Sequence, residues 1–357
     1  MAAPEPDPVG TRPLTVRLIG KSNGVGLTRD LSLLESALIA SGCQVSVHAC
    51  ERDDRRRRRS LLTRLAMRAR RRHGTSRVPR FDVNVMLEHV WPQFVHQARC
   101  NVLVPNPEWT DRRDLAMLAV IDRAWTKTRM AREVFAARGL RCWPIGFDSE
   151  DRLQGAVPRL PYFLHLAGRS PLKGTNHLLG LWRRHPEWPR LTVVQCREDA
   201  ADRTASLNGE PANIVYERAY LSDQEIRTLQ NAHRFHLCIS EAEGWGHYIA
   251  EAMSVGAVTL TTDAPPMNEL VEPERGLLVP ARFGAAHNLV RIARFDESAM
   301  SAAVLRAQDL STAQLASFGE AARRWFIANK QGFAARVSGA LSDLTDVLHE
   351  QRSVARR

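Results

Sequence analysis

Short continuous apolar runs alternate with stretches of helical spacing along almost the whole chain. The runs at 14–20, 45–49, 81–87, 101–105 and 123–127 read as strands. The stretches at 27–41, 91–98, 112–120 and 128–138 read as helices, the first with Leu31, Leu34, Leu38 and Ile39 at core spacing. Runs without polar alternation imply strands buried on both faces, hence parallel sheets with right-handed crossovers. A stretch containing Gly and Pro leads up to Pro161, and the pattern then restarts. Strands follow at 162–167, 191–195, 213–216, 235–239, 257–261 and 276–280, a helix at 222–232, and helices throughout 283–349. The expected fold class is α/β, with two Rossmann-like domains at 14–150 and 151–330, a disordered tail at 1–13 and a terminal helix at 331–357.

Composition narrows the setting. Six dispersed cysteines without a CxxC pair read as reduced thiols of a cytoplasmic protein, with neither a disulfide framework nor a zinc site. The Pro-rich start lacks an apolar leader, and no uncharged run is long enough to span a bilayer, so neither signal peptide nor membrane helix is expected. Most of the net charge of +11 sits in 52–72, where eleven arginines meet only Asp53 and Asp54. Within this basic insertion, 52–73, residues Leu61, Leu62, Leu65 and Ala69 fall on one helical arc beside Arg64, Arg68 and Arg71. Such a helix suits an anionic membrane surface, with the peripheral inner face of a membrane as the expected location. A solvated insertion and an arginine-rich nucleic-acid contact are the alternatives; the second lacks aromatics interleaved with the arginines and is not favoured.

The chemistry concentrates in SEAEGWGHYIAEAMSVGAVTLTTDAPPMNEL, which runs from Ser240 to Leu270 between two strands. If the helix began in its first half, Glu243 and Glu251 would lie within about 80° of one face and could serve one ligand. Gly244 and Gly246 would let that ligand approach the backbone, and the free N–H groups of a first helical turn favour an anion. Near the N-terminus, Gly24 and Gly26 form a G-x-G between strand and helix, and Glu51 stands near the end of the second strand. A dinucleotide enzyme would use such residues, but the third glycine of its fingerprint is missing.

The string S-x-x-E-G-W-G-x-x-x-x-E-A-M-x-x-G resembles the donor-site signature of retaining glycosyltransferases with the GT-B fold, family four. The resemblance runs from about Asn23 to the C-terminal helices and is densest between Leu164 and Pro280. It implies two domains facing a cleft, a final helix crossing back to the first domain, and transfer of a UDP- or GDP-linked sugar with retention. Glycan or lipid-linked acceptors in polysaccharide, lipopolysaccharide or glycolipid assembly are implied as well. By position, Arg169 and Lys173 would clamp the diphosphate, and Glu251 would hold the ribose. Glu243 would meet a sugar hydroxyl, Gly24 and Gly26 would face the phosphates, and Trp245 belongs to the same donor loop. Arg218 and Tyr220 would lie at the base. His89, or Glu108, would stand at a strand end near the sugar.

Two positions depart from the family. His247 replaces an apolar residue and could touch the sugar or lie behind it, and Pro265 and Pro266 replace paired glycines while Glu269 keeps its place. No D-x-D appears near the cleft, so neither metal nor cofactor is expected, basic groups and helix N-termini taking the metal's role. The rival functions are another GT-B activity, inverting transfer or epimerisation, and a basic nucleic-acid-binding protein.

Overall fold

The computed structural model describes residues 12–22, 24, 26–50, 79–155, 157–195, 211–217 and 221–355. The basic insertion 52–73, most of the 1–13 tail, and Arg218 and Tyr220 lie outside the described residues.

Two sheets carry the fold. The first runs β2-β1-β3-β4-β5-β6, from β1 (Thr15–Lys21), β2 (Gln44–Cys50), β3 (Phe81–Glu88), β4 (Ala98–Pro105), β5 (Arg123–Thr126) and β6 (Cys142–Pro144). All its pairings are parallel. Helix α1 (Gly26–Ala40) packs Leu31, Leu34 and Leu38 against it. The second runs β13-β12-β11-β10-β7-β8-β9, from β7 (Leu160–Gly168), β8 (Leu191–Gln195), β9 (Ile214–Glu217), β10 (His233–Cys238), β11 (Val258–Asp263), β12 (Gly276–His287) and β13 (Val290–Phe295). Only the β12–β13 pair is antiparallel.

Three expectations are corrected. The helix expected at 91–98 is a single tight turn, Val95–Gln97. Asn84 Nδ2 donates to the Phe94 carbonyl at 2.8 Å and Asn101 Nδ2 to the Val95 carbonyl at 3.1 Å, so strand side chains capture the acceptors a helix would need. The helices expected from 283 begin only at α8 (Glu297–Gln308), counting in chain order after α2 (Arg112–Leu115), α3 (Arg129–Ala136), α4 (Thr175–Arg183), α5 (Asp223–Ala232), α6 (His247–Ser254) and α7 (Met267–Leu270). Residues 276–295 are instead a hairpin whose turn holds Asn288 at φ 52, and it buries Ala293 and Phe295 on alternate positions. The third correction, the start of α6, concerns the site below.

The last helix, α9 (Thr312–Ala355), joins the two sheets into one body. Its Phe333, Val337, Leu341 and Leu344 share a core cluster with Val16 and Val102 of the first sheet and with Tyr248 and Ile249 of α6. The chain crossing between domains runs beside it: Arg336 Nε donates to the Ile145 carbonyl at 2.7 Å, Asn329 Nδ2 to Phe147 at 2.8 Å, and Lys330 pairs with Asp148 at 2.9 Å. Arg323 then grips both oxygens of Asp151 at 2.6 Å. Where α9 passes the end of α6, a Cβ on Gly319 would meet the Gly256 carbonyl at 2.8 Å, and one on Gly256, at φ 64, would meet the Gly319 carbonyl at 3.2 Å. Two bare backbones set this crossing. Gly319→Val should therefore destabilise the protein by about 1–3 kcal/mol, read as a lower urea midpoint.

Candidate active site

β10 ends at Cys238, and the chain then takes eight residues of loop before α6 begins at His247. Gly246 caps α6 at φ 100, a conformation open to glycine. Glu243 therefore sits on the loop and only Glu251 on the helix, which corrects the expected placement of both acids on one helical face. Both nonetheless lie near enough to Cys238, at the end of β10, for their charges to act on its thiol.

Glu243 is held from two sides. Its Oε1 accepts from Ser240 Oγ at 2.5 Å and pairs with Lys173 Nζ, which lies 3.6 Å from the centre of the Tyr248 ring. Lys173 ends the short turn Pro171–Lys173, which Ser170 caps through the Leu172 N–H at 3.3 Å. The Glu241 N–H donates to the Leu172 carbonyl at 2.7 Å, and Gly174, at φ 68, passes so near the Ile239 carbonyl that a Cβ would stand 2.7 Å from it. The lysine turn and the acidic loop are thus one assembly. Arg169 precedes them, exposed in the turn just after β7. Burial, then the nearby Cys238 and Glu243, push the Tyr248 hydroxyl well above its ordinary value, so it stays neutral beside Lys173.

Glu251 is 5% exposed and takes Arg29 Nη1 of α1 on one oxygen and Gln230 Nε2, at 2.9 Å, on the other. His247 lies behind the α6 N-terminus: Nε2 is 2.6 Å from Asp30 Oδ1 and Nδ1 is 2.9 Å from Ser149 Oγ, which also accepts from Trp245 Nε1 at 3.2 Å. Asp30 pairs in turn with Lys127 from the end of β5. Burial would raise the Asp30 carboxyl, but the Lys127 and His247 charges outweigh it and hold the carboxyl far below its ordinary range. Gly24, at φ 70, donates its N–H to Thr28 Oγ1 at 2.8 Å, and both Gly24 and Gly26 leave open space at the start of α1.

On the first domain's wall, His89 Nδ1 lies 3.0 Å from Asp114 and its Nε2 lies 3.4 Å from Glu88. Glu88 Oε1 accepts from Asn106 Nδ2 at 3.4 Å. Gly244 lacks the space for a Cβ, which would meet Asn106 Oδ1 at 2.4 Å and Glu108 Oε1 at 2.9 Å. This glycine admits the side chains of the other domain. The hairpin tip closes the same contact, since Asn288 Nδ2 donates to the Glu108 carbonyl at 2.7 Å. Glu269 is likewise committed across the cleft, accepting the Arg129 and Met130 N–H groups at 2.6 and 2.9 Å at the N-terminus of α3. Pro265 and Pro266 stand just before α7.

Sequence reasoning missed Arg29, Asp30, Lys127 and Gln230. One signal was available for Asp30, an acid within the Leu27, Leu31 and Leu34 stripe of α1. Among the described residues, no group of His, Cys, Asp or Glu is placed to hold a metal ion, and no helix is long and apolar enough to cross a membrane.

No protein-family model matches the chain. It is 29% identical over 174 residues to GDP-mannose:cellobiosyl-diphosphopolyprenol alpha-mannosyltransferase of Xanthomonas oryzae pv. oryzae (strain PXO99A), a match covering 46% of this chain and 46% of that one. Of solved structures, a glycosyltransferase from Rickettsia africae ESF-5 superposes with a TM-score of 0.69 at 12% identity, covering 95% of this chain and 99% of that one. Anabaena HepE, solved in complex with UDP and glucose, superposes at 0.61 with 15% identity, covering 94% of this chain and 100% of that one.

Burial, reinforced by the Glu243 and Glu88 charges, pushes the Glu108 carboxyl up to about 8. Its folded value exceeds its unfolded value of about 4.3, so its stabilising contribution is whole below that pH and is lost as pH rises through about 8. Glu108→Gln should flatten the fall in urea stability across that window. An unchanged slope would remove Glu108 as its source.

Proposed function

We propose that this chain, which has the GT-B fold, is a glycosyltransferase that moves a sugar from a nucleotide diphosphate donor to an acceptor hydroxyl with retention. The observation that carries this reading is the joining of Lys173, Glu243 and the α6 N-terminus into one wall, with Glu251 one turn further along. The relative's name specifies GDP-mannose and the neighbour holds UDP and glucose, so the donor is taken as GDP- or UDP-linked.

Lys173 meets the charge that builds on the diphosphate as the bond from the sugar's C1 to the phosphate oxygen breaks. Glu243 and the Tyr248 ring hold its ammonium in place beforehand, so little reorganisation is needed at the moment of reaction. Arg169 and the N–H groups opening α6 add to the same potential. Glu251 takes the ribose hydroxyls. Retention requires the acceptor oxygen to bond C1 on the face the diphosphate leaves, and its proton then passes to the departing phosphate oxygen, the nearest base. His247, bonded on both nitrogens, orients α6 against α1.

Lys173→Ala should cost roughly 2 to 4 kcal/mol of transition-state stabilisation in kcat/KM while the protein stays folded. The same assay, run in EDTA and followed by NMR of the product's anomeric proton, should show unchanged activity and the donor's anomeric configuration. A folded Lys173→Ala enzyme with normal turnover, a Mn²⁺ requirement or an inverted anomer each contradicts this reading.

The acceptor is proposed to be a glycan or a lipid-linked sugar, the relative's name being that of a diphosphopolyprenol-dependent enzyme. The basic segment 52–73 is proposed to dock on an anionic membrane surface and so place the cleft near such an acceptor. Co-sedimentation with vesicles should require anionic lipid and weaken with salt. Replacing arginines 55–59 with Ser should abolish it, and unchanged binding would end the docking role.

A further inference from the structure

Arg29 holds a carboxylate that the proposed reaction assigns to the donor. It lies in the first turn of α1, where a cation faces the positive end of the helix and needs an anion to offset it. That anion is Glu251, reached from the other domain, with Glu150 3.7 Å from the Arg29 Nε. Gln230 takes the second oxygen of Glu251, so both oxygens of this buried acid have a donor. Ribose hydroxyls must compete with the guanidinium for Glu251 while Arg29 keeps its place.

The released guanidinium has an adjacent destination. Asp30, next to Arg29, bonds His247, the first residue of α6, and Glu251 is one turn from His247. The first turn of α1 therefore abuts the N-terminus of α6, and Arg29 is 30% exposed, with a flexible stem to swing on. We infer that Arg29 is a donor-binding residue that exchanges partners, leaving Glu251 to the ribose hydroxyls and closing on the donor diphosphate. This inference rests on the proposed assignment of the ribose to Glu251. The exchange loses one carboxylate–guanidinium pair and gains a charge-assisted phosphate–guanidinium pair, while Gln230 and the ribose hydroxyls keep the buried Glu251 hydrogen-bonded.

The exchange predicts opposite responses to two halves of one ligand. In Arg29→Gln, Glu251 is freed, so a nucleoside without phosphates should bind several-fold more tightly, while UDP, GDP and inorganic pyrophosphate should bind about tenfold more weakly or worse. In Glu251→Gln the pattern reverses: the nucleoside weakens and pyrophosphate, no longer competing for Arg29, holds or tightens. NMR titration of the folded full-length variants measures each constant, with thermal melting as the control. Nucleoside and diphosphate weakening together in Arg29→Gln would make Arg29 a domain tie only, and both tightening would make it only a plug. No change in either would remove it from the site. If the unaltered protein binds no nucleotide, the proposed function itself fails and this inference falls with it.

Discussion

Charges buried where the two sheets face one another must be paired, and that requirement organises the interior of the cleft. Asp30 is 4% exposed and would be costly as an isolated anion, yet Lys127 and His247 hold it ionised. The three partners come from α1, from the end of β5 and from the start of α6, so the pairing can be complete only when both domains are in register. Glu251 with Arg29, and Glu269 with the α3 N-terminus, repeat the arrangement at other points of the same seam. Removing one member of such a set leaves an unpaired buried charge, which costs far more than the pair contributes when intact.

The acidic loop works because it is a loop. A helix starting at Glu243 would have pointed both acids along one stripe, whereas the observed cap at Gly246 leaves Glu243 free to bend toward the lysine turn. The backbone contacts at Gly174 and Gly244 are closer than any side chain allows, and each seats a neighbouring segment, the first Ile239 and the second Asn106 with Glu108. Glycine at these positions sets the distance between two walls.

Strands of the parallel sheets were readable because both of their faces are buried, which writes a continuous apolar run into the sequence, as in β1, β3 and β8. The hairpin beyond 280 was not readable, since alanines and arginines there mimic an amphipathic helix and only Asn288 marks the turn. Lys173, Glu243 and Glu251 could be found because a long motif fixes them. Arg29, Lys127 and Gln230 could not, because each earns its place from a partner some 20 to over 200 residues away, a relation that only the folded chain displays. The helical placement expected of Glu243 was wrong, because α6 begins only at His247.

The lacing of α9 to the crossing chain limits how the domains can move. Residues 145–151 and the helix beside them are tied at Ile145, Phe147, Asp148 and Asp151, so the two strands of the connection form a two-ply strap rather than a pair of independent tethers. A single tether permits swivel about its own length. A strap resists torsion and yields only by bending across its width. Any parting of the domains along that bend would break Arg29 from Glu251 and Glu269 from α3 together, since both contacts lie on one seam.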